Sequence, residues 1–437
     1  MANTTSLVHV LIAVFAATGA TTGISNKAGA QDAPISPLAS SEEYEEAYPD
    51  LLDGTLSAGG DLADDAIPKR GFFRFETNLG PWFQFKKNLQ EEYGLTIGGS
   101  YGILWQNYSS TLGGEENSAG HKFTLNISAD ILNRGAPDAL TFDMAIEDRR
   151  QLGSDLSPLW AGFQTGSATA TAATWGDFDL GITQAYIRQN LMGGRFQYTI
   201  GKIFAPNYVN AYPFFDDNRQ FLNQSFSTSP TIPIPLRGFG MVAAVYPRNN
   251  FYITAGMYTP YSDDTGWTIN DFFEKGDHFY HLEFGFTSLA QTGTPIQARG
   301  PMDANNFHIA TWYRDELDDG SPRAKGVAFN ANGMLNENMM GFLRGGWSDG
   351  WLIERNVAAG IGYRPPGAPS DLFGFALGWA KPASELLDSQ YTAEMFYRFQ
   401  VTPQFAVTPD IQLIVDPALN PTEDYVVAIG LWARLTF

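Results

Sequence analysis

From Leu95 onward, apolar residues recur at every second position of this 437-residue chain. In "LTIGGSYGILWQN", Leu95, Ile97, Tyr101, Ile103 and Trp105 share one side, and Thr96, Ser100 and Gln106 the other. "KFTLNISADI" sets Phe123, Leu125, Ile127 and Ile131 against Lys122, Thr124, Asn126, Ser128 and Asp130. "LTFDMAIED" sets Leu140, Phe142, Met144 and Ile146 against Asp143 and Glu147. A period of two is that of a strand with one apolar face. It predicts about sixteen strands, near 95–107, 121–132, 138–149, 177–190, 194–204, 238–246, 250–258, 278–287, 305–315, 323–333, 340–348, 355–364, 371–380, 390–400, 404–416 and 423–437. The last, "YVVAIGLWARLTF", alternates through Leu431, Ala433 and Leu435 to a terminal Phe437. Termini of soluble domains are more often polar and frayed.

Ahead of the strands the period changes. In "GPWFQFKKNLQEEYG", Trp82, Phe85, Leu89 and Tyr93 fall on one face of a helix. Pro81 suits its first turn and Gly94 its end. A short amphipathic helix is expected at 81–93.

Connections between the strands alternate in length. "NRGAPD", "NLMGG", "PRNN", "LNEN", "PPGAPSD" and "VTPQ" are short. Between them lie 108–120, 150–176, 205–237 and 259–277, then shorter loops. Residues 288–304 break the rule, being long on the short-turn side. An even strand count with tight turns at one rim and longer loops at the other is the pattern of an outer-membrane barrel. A soluble sandwich or propeller also has many short strands, but a propeller repeats internally, and no repeat is visible. Side chains cannot fill a lumen enclosed by sixteen strands. The apolar faces are therefore expected outward, in lipid, and the polar faces inward, on water. Aromatic residues near strand ends, among them Trp105, Tyr108, Phe204, Tyr246, Tyr258, Tyr391, Phe399 and Tyr425, fit interface girdles.

Composition narrows the picture. The chain has no cysteine, so disulfides, thiolate metal sites and Cys nucleophiles are excluded. A net charge of -20 argues against nucleic acid as a partner. Ten acidic residues and no Lys or Arg fall within 31–65. "LVHVLIAVFAATGA" (Leu7–Ala20), followed by "AGA" at 28–30, reads as a secretory signal. The expected organisation is a signal peptide at 1–30, an acidic flexible segment at 31–77, a periplasmic amphipathic helix at 78–94 and a transmembrane barrel at 95–437.

Several stretches resemble the carbohydrate-selective outer-membrane porins of the OprB family. They are "GPWFQFKKNLQEEYGLTIGGSY", "FFDDNRQFLNQSF", "YPRNNFYITAGMYTP", "FFEKGDHFYHLEFGFTS" and "FHIATWYRDELDDG". The longest is "QYTAEMFYRFQVTPQFAVTPDIQLIVDPALNPTEDYVVAIGLWARLTF". The resemblance covers roughly residues 78–437. It implies a sixteen-stranded barrel passing sugars by facilitated diffusion in the outer membrane of a Gram-negative-type bacterium.

A porin needs a wet constriction rather than a catalytic group. Sugars offer hydroxyls for hydrogen bonds and C–H faces for aromatic stacking. Inward parity gives as candidates Asp143, Glu147, Arg149, His281, Glu283, His308, Trp312, Arg314, Arg344, Glu394, Arg398, Asp410, Gln412, Trp432 and Arg434. For each charged candidate the alternative is a wall residue completing an ion-pair lattice. For Trp312 and Trp432 it is packing against an inserted loop. The long loop 205–237 is aromatic and rich in Asn and Gln, which suits a constriction. Its Arg219, Asn223 and Gln224 are further candidates, and a surface lid is the alternative. Parity leaves Gln184, Arg188 and Lys202 unassigned.

Leu435 and Phe437 resemble the signal read by the barrel assembly machinery. His278 and His281 face opposite sides at strand spacing, so no metal is expected there, and no cofactor. "FDDN" and "SDDT" are acidic loop tips with the composition of a Ca²⁺ site, but solvated tips fit them better. The solutes expected are mono- or oligosaccharides, for a monomer or a trimer in outer-membrane lipid. Rival readings are a general or ion-selective porin, a barrel lipase, for which no Ser-centred motif is present, and a secreted sugar-binding protein.

Overall fold

Sixteen strands pair in chain order, each antiparallel to the next, and the last returns to the first. They are β1 (Leu95–Tyr108), β2 (Asn117–Leu132), β3 (Leu140–Gln151), β4 (Phe178–Leu191), β5 (Phe196–Phe204), β6 (Arg237–Arg248), β7 (Phe251–Tyr258) and β8 (Phe279–Thr287). The second half holds β9 (Asn306–Arg314), β10 (Ala324–Asn336), β11 (Met339–Asp349), β12 (Ile353–Tyr363), β13 (Leu372–Pro382), β14 (Gln390–Thr402), β15 (Phe405–Val415) and β16 (Tyr425–Thr436). Each predicted strand is present, with ends within four residues of expectation. The computed structural model describes residues 48, 50–73, 79–288 and 305–437. The expected signal region and most of the 288–304 connection lie outside the described residues.

Closure runs through β1 and β16, with Ser100 opposite Thr436 and Tyr108 opposite Ala428. It removes two strand edges whose backbone groups find no partner in an apolar surround. Beyond the last strand, the Phe437 N–H donates to the Gly99 carbonyl at 2.9 Å, and the Gly99 N–H returns the bond at 3.0 Å. The expected helix spans Gly80–Tyr93 and ends at Gly94 in the left-handed conformation, φ +68°. Arg134, in the β2–β3 turn, donates to the carbonyls of Gln90 and Glu91 at its C-terminus. Trp82 and Leu89 are half-buried, while Phe85 and Tyr93 are exposed.

Alternation decides the two faces. On β8, Tyr280, Leu282, Phe284 and Phe286 point out, and Phe279, His281, Glu283 and Thr287 point in. On β9, Phe307, Ile309 and Tyr313 point out, and His308, Trp312 and Arg314 point in. On β16, Leu431 is exposed and Trp432 and Arg434 are buried, as parity requires. The exposed surface of the wall is thus apolar, the reverse of a soluble protein.

Three expectations need correction. First, the inner faces do not line open water. The loops 150–176 and 205–237 fold inward, so Ala172, Phe214, Phe221, Leu222 and Phe226 are fully buried. They form one apolar cluster with Leu104, Phe342, Phe396 and Trp432 of the wall. Second, Tyr108, Phe204, Tyr246 and Tyr258 are not girdle residues, because their parity turns them into the lumen, where they are buried. Closeness to a strand end fixes height along the barrel but not the face.

The acidic segment is the third, and the larger surprise. Of its described part, residues 50–65 do not behave as the flexible linker expected but run inside the barrel, and 66–73 leave it at the rim, where Phe72 is exposed. Ser57 caps a plug helix (Ala58–Ala66) by accepting from the Gly60 N–H, and Pro68 follows its end. Leu52, Ser57 and Ala58 have no exposed surface.

Candidate functional site

Acid–base pairs and hydrogen bonds tie the plug and both loops to the wall. The plug helix carries Asp61 and Asp65 four residues apart, hence on one face. Arg219 of the 205–237 loop binds Asp61, and lies 2.9 Å from Asp65. It also binds Asp216. Arg434 of β16 reaches Asp65 at 2.8 Å and Asp61 at 3.2 Å. Asn126 of β2 donates to Asp61 at 2.6 Å. Arg398 of β14 stands close by and donates to Gln400 at 3.2 Å. Upstream, Arg188 binds Asp50 and lies 3.8 Å from Asp53 and 3.7 Å from Asp143. Thr141 donates to Asp143 at 2.8 Å. Hydrogen-bonded charge pairs of this kind are stronger than neutral contacts.

A second group joins β3 to the loops. Glu147 accepts from Arg149, and from Thr183 at 2.6 Å, with Arg237 at 3.5 Å. Lys122 meets Asp217 at 3.2 Å and lies over the Trp175 ring at 4.4 Å.

A third group anchors the start of the 205–237 loop. Glu283 accepts from the Asn210 N–H at 3.2 Å and from the Tyr252 hydroxyl at 2.9 Å. His308 Nε2 lies 2.9 Å from Asn210 Oδ1. Arg344 donates to Ser229 at 2.6 Å and to the carbonyls of Asn210 and Phe226 at 3.2 Å. A fourth group anchors its middle. Glu394 accepts the N–H groups of Leu222 at 2.6 Å and Asn223 at 3.0 Å. Asn223 donates to Gln412 at 2.9 Å, and Gln412 to Asp410 at 2.9 Å. Gln224 accepts from the Ala170 N–H at 3.1 Å, joining the two loops.

Every candidate read from the sequence is on the inner face or on an inserted loop. His281, Trp312, Arg314 and Trp432 stand outside the four groups. His281 stacks on Tyr258, Trp312 on Phe279, and Trp432 packs near Phe396. Arg314 donates to the Pro322 carbonyl at 2.7 Å. His278 sits apart from His281, its Nε2 2.9 Å from the Phe272 carbonyl. Among the described residues no three His, Asp or Glu side chains are grouped to hold a metal.

Sequence reading missed Lys122, Asn126, Arg237, Asp217 and the plug carboxylates. The Asp61–Asp65 spacing was the available signal. Gln184 and Arg188, on β4, resisted assignment for a physical reason. Register shifts between β3 and β4 break the alternation, so Thr183, Gln184, Ala185 and Tyr186 are all buried. All three unassigned residues point inward: Gln184 donates to the Leu56 carbonyl at 2.9 Å, and Lys202 to that of Ile182 at 2.9 Å.

Two small cavities lie among these groups. A cavity of about 30 Å³ lies between Asp61, Asn126, Glu147 and Arg237. A second, of about 10 Å³, lies between Lys122, Trp175, Trp432 and Arg434. Such volumes hold single waters, since one needs roughly 10–15 Å³. Neither of these two cavities holds a sugar ring.

Residues 310–437 match the family described as carbohydrate-selective porin, OprB family. No curated protein matches the chain. The fold is similar to that of Pseudomonas putida OprB in its high-pH structure, with a TM-score of 0.65 and 14% identity, covering 84% of this chain and 99% of that one. The low-pH structure of the same protein gives a TM-score of 0.52 at 14% identity, covering 84% of this chain and 100% of that one.

Proposed function

We propose that this chain is an outer-membrane porin that passes carbohydrates by passive diffusion. The observation that carries the reading is the inverted barrel: an apolar outer wall around a lumen of paired charges and amides, in a chain whose last third matches the sugar-selective family. An apolar outer face is stable in lipid. Inside, Asp, Glu, Arg, Asn and Gln side chains can exchange hydrogen bonds with hydroxyls one at a time. Both charge signs are present, so a neutral solute meets no strong net field. The channel walls supply binding and orientation, not bond chemistry.

The outer membrane of a Gram-negative-type bacterium is the natural location. The plug segment then enters the lumen from the periplasmic rim, where its described ends bond to short turns, and the helix Gly80–Tyr93 lies on that side. Leu435 and Phe437, at the closing strand, are the residues the assembly machinery would read. The plug, packed among the lumen's charged groups, is the segment whose displacement would widen the channel. The test is liposome swelling with a panel of mono- and oligosaccharides, run beside salt conductance in planar bilayers. Swelling graded by saccharide identity at equal size supports the reading. Salt conductance with no saccharide permeation or block replaces it with an ion-selective porin.

A further inference from the structure

We infer that the outer face of β10–β13 binds a lipid whose headgroup carries two phosphates, at the rim opposite the plug's entrance. The inference rests on the membrane reading of the wall and lies outside the solute path. Lys325 stands at the start of β10, Arg355 at the start of β12 and Lys381 near the end of β13, all at the long-loop rim. The register sets them in a row. Lys325 is opposite Asp349, Trp347 opposite Arg355, and Arg355 opposite Lys381. Exposed Arg323 precedes Lys325 by two residues. The row faces outward, because Lys325, Arg355 and Lys381 keep the parity of Val327, Val357 and Leu377, which are exposed on the apolar wall.

Position and charge together decide the ligand. The outward Trp347 marks the height at which an apolar wall meets headgroups. There a chain of net charge -20 gathers four cations around two carboxylates, Asp349 and Glu354. Lys325 lies 3.8 Å from Asp349, and Arg355 and Lys381 share Glu354 at 2.9 Å each. Exposed pairs of this kind stabilise a fold little, so folding does not account for the row. The side chains of Lys325, Arg355 and Lys381 stay 62%, 55% and 40% exposed. Each therefore keeps free N–H donors for a second anion. Acids of the β9–β10 connection turn elsewhere: Asp315 accepts from the His278 N–H at 3.0 Å, and the Asp318 N–H donates to Tyr261 at 3.1 Å. From β10 to β13 the row spans three strand separations, roughly 14 Å. One phosphate cannot touch both ends, whereas two on one headgroup can. The row continues the lipid-facing wall, so its ligand arrives in the membrane plane, with acyl chains to lie on Val327, Val357 and Leu377.

The test uses the full chain in detergent micelles, with native mass spectrometry counting bound lipid. The probes are diphosphoryl lipid A, monophosphoryl lipid A, phosphatidylglycerol and inorganic phosphate. Wild type is expected to hold one diphosphoryl lipid A, about tenfold more tightly than either singly phosphorylated lipid, the loss expected for one charge-assisted hydrogen bond. R355Q/K381Q is expected to lose that preference, and K325E to lose it from the other end of the row, so the test survives poor folding of either. Lys381→Arg is expected to keep it, as is Arg150→Gln, at an outward ion pair on β3. Unchanged binding in R355Q/K381Q and K325E overturns the site. Equal binding of phosphatidylglycerol overturns the two-phosphate assignment, and displacement by equimolar inorganic phosphate overturns the lipid. Sugar-driven swelling of R355Q/K381Q liposomes is expected at the wild-type rate, so the site can fail while the porin stands. A chain that does not insert into liposomes at all overturns the membrane reading on which the site rests.

Discussion

Asp64 lies next to the Arg219–Asp65 ion pair but takes no arginine of its own. Burial pushes its carboxyl up to about 7, with the Arg219 charge opposing. Burial likewise pushes Asp53 up to about 6 against Arg188. Asp65 behaves oppositely. Burial acts to raise it, but Arg434 and Arg219 outweigh that and hold it far below the usual carboxylate range. A carboxyl raised in the docked state favours docking while protonated, below its free value. That contribution is lost as pH climbs through about 6 and 7. The Asp65 contribution is present above the free carboxylate value and fades only in stronger acid. The plug should therefore hold best near pH ~4–5 and loosen toward neutrality. Conductance measured from pH ~4.5 to 7.5 is expected to rise. D53N/D64N, which mimics the protonated pair, is expected to stay closed throughout; an unchanged pH profile in that variant would assign the titration elsewhere.

The plug segment as an element depends on one close approach. A Cβ at Gly71 would meet the Thr402 Cα at 2.4 Å, backbone that cannot yield. Gly71→Val is expected to displace the segment where it leaves the lumen and to raise conductance, with the barrel's β-sheet circular dichroism unchanged. The 205–237 loop depends on Glu394, which accepts two buried backbone N–H groups. Leaving each unpaired costs about 1–3 kcal/mol. Glu394→Ala should expose the loop to proteolysis between 205 and 237 while the strands stay protected. Cleavage at the wild-type rate would show that the loop is held by its aromatic cluster alone.

For the molecule as a whole, closure and the apolar exterior set stability. Leu431 faces outward on the closing strand. Leu431→Arg should destabilise the barrel by about 2–4 kcal/mol if it lies at mid-bilayer depth, read as a lower urea midpoint in lipid. Arg434, three residues on, faces the lumen and should act through the plug: Arg434→Gln is expected to change conductance far more than that midpoint.

These contrasts separate what one chain of letters carries from what the fold adds. Alternation alone predicted about sixteen strands and the face of nearly every candidate, because a strand's side chains obey a strict local period. It placed Trp432 and Arg434 inside and Leu431 outside. It failed on β4, where register shifts break the period, and on Tyr108 and Tyr258, where position along the strand was taken for face. It gave no partner to any lumen charge. Asp61 and Arg434 lie 373 residues apart, and no local rule joins them. Only closing the barrel brings the plug helix, the 205–237 loop and the ends of β14 and β16 into one space. There, removing water makes most charges find an opposite charge or a hydrogen-bond partner.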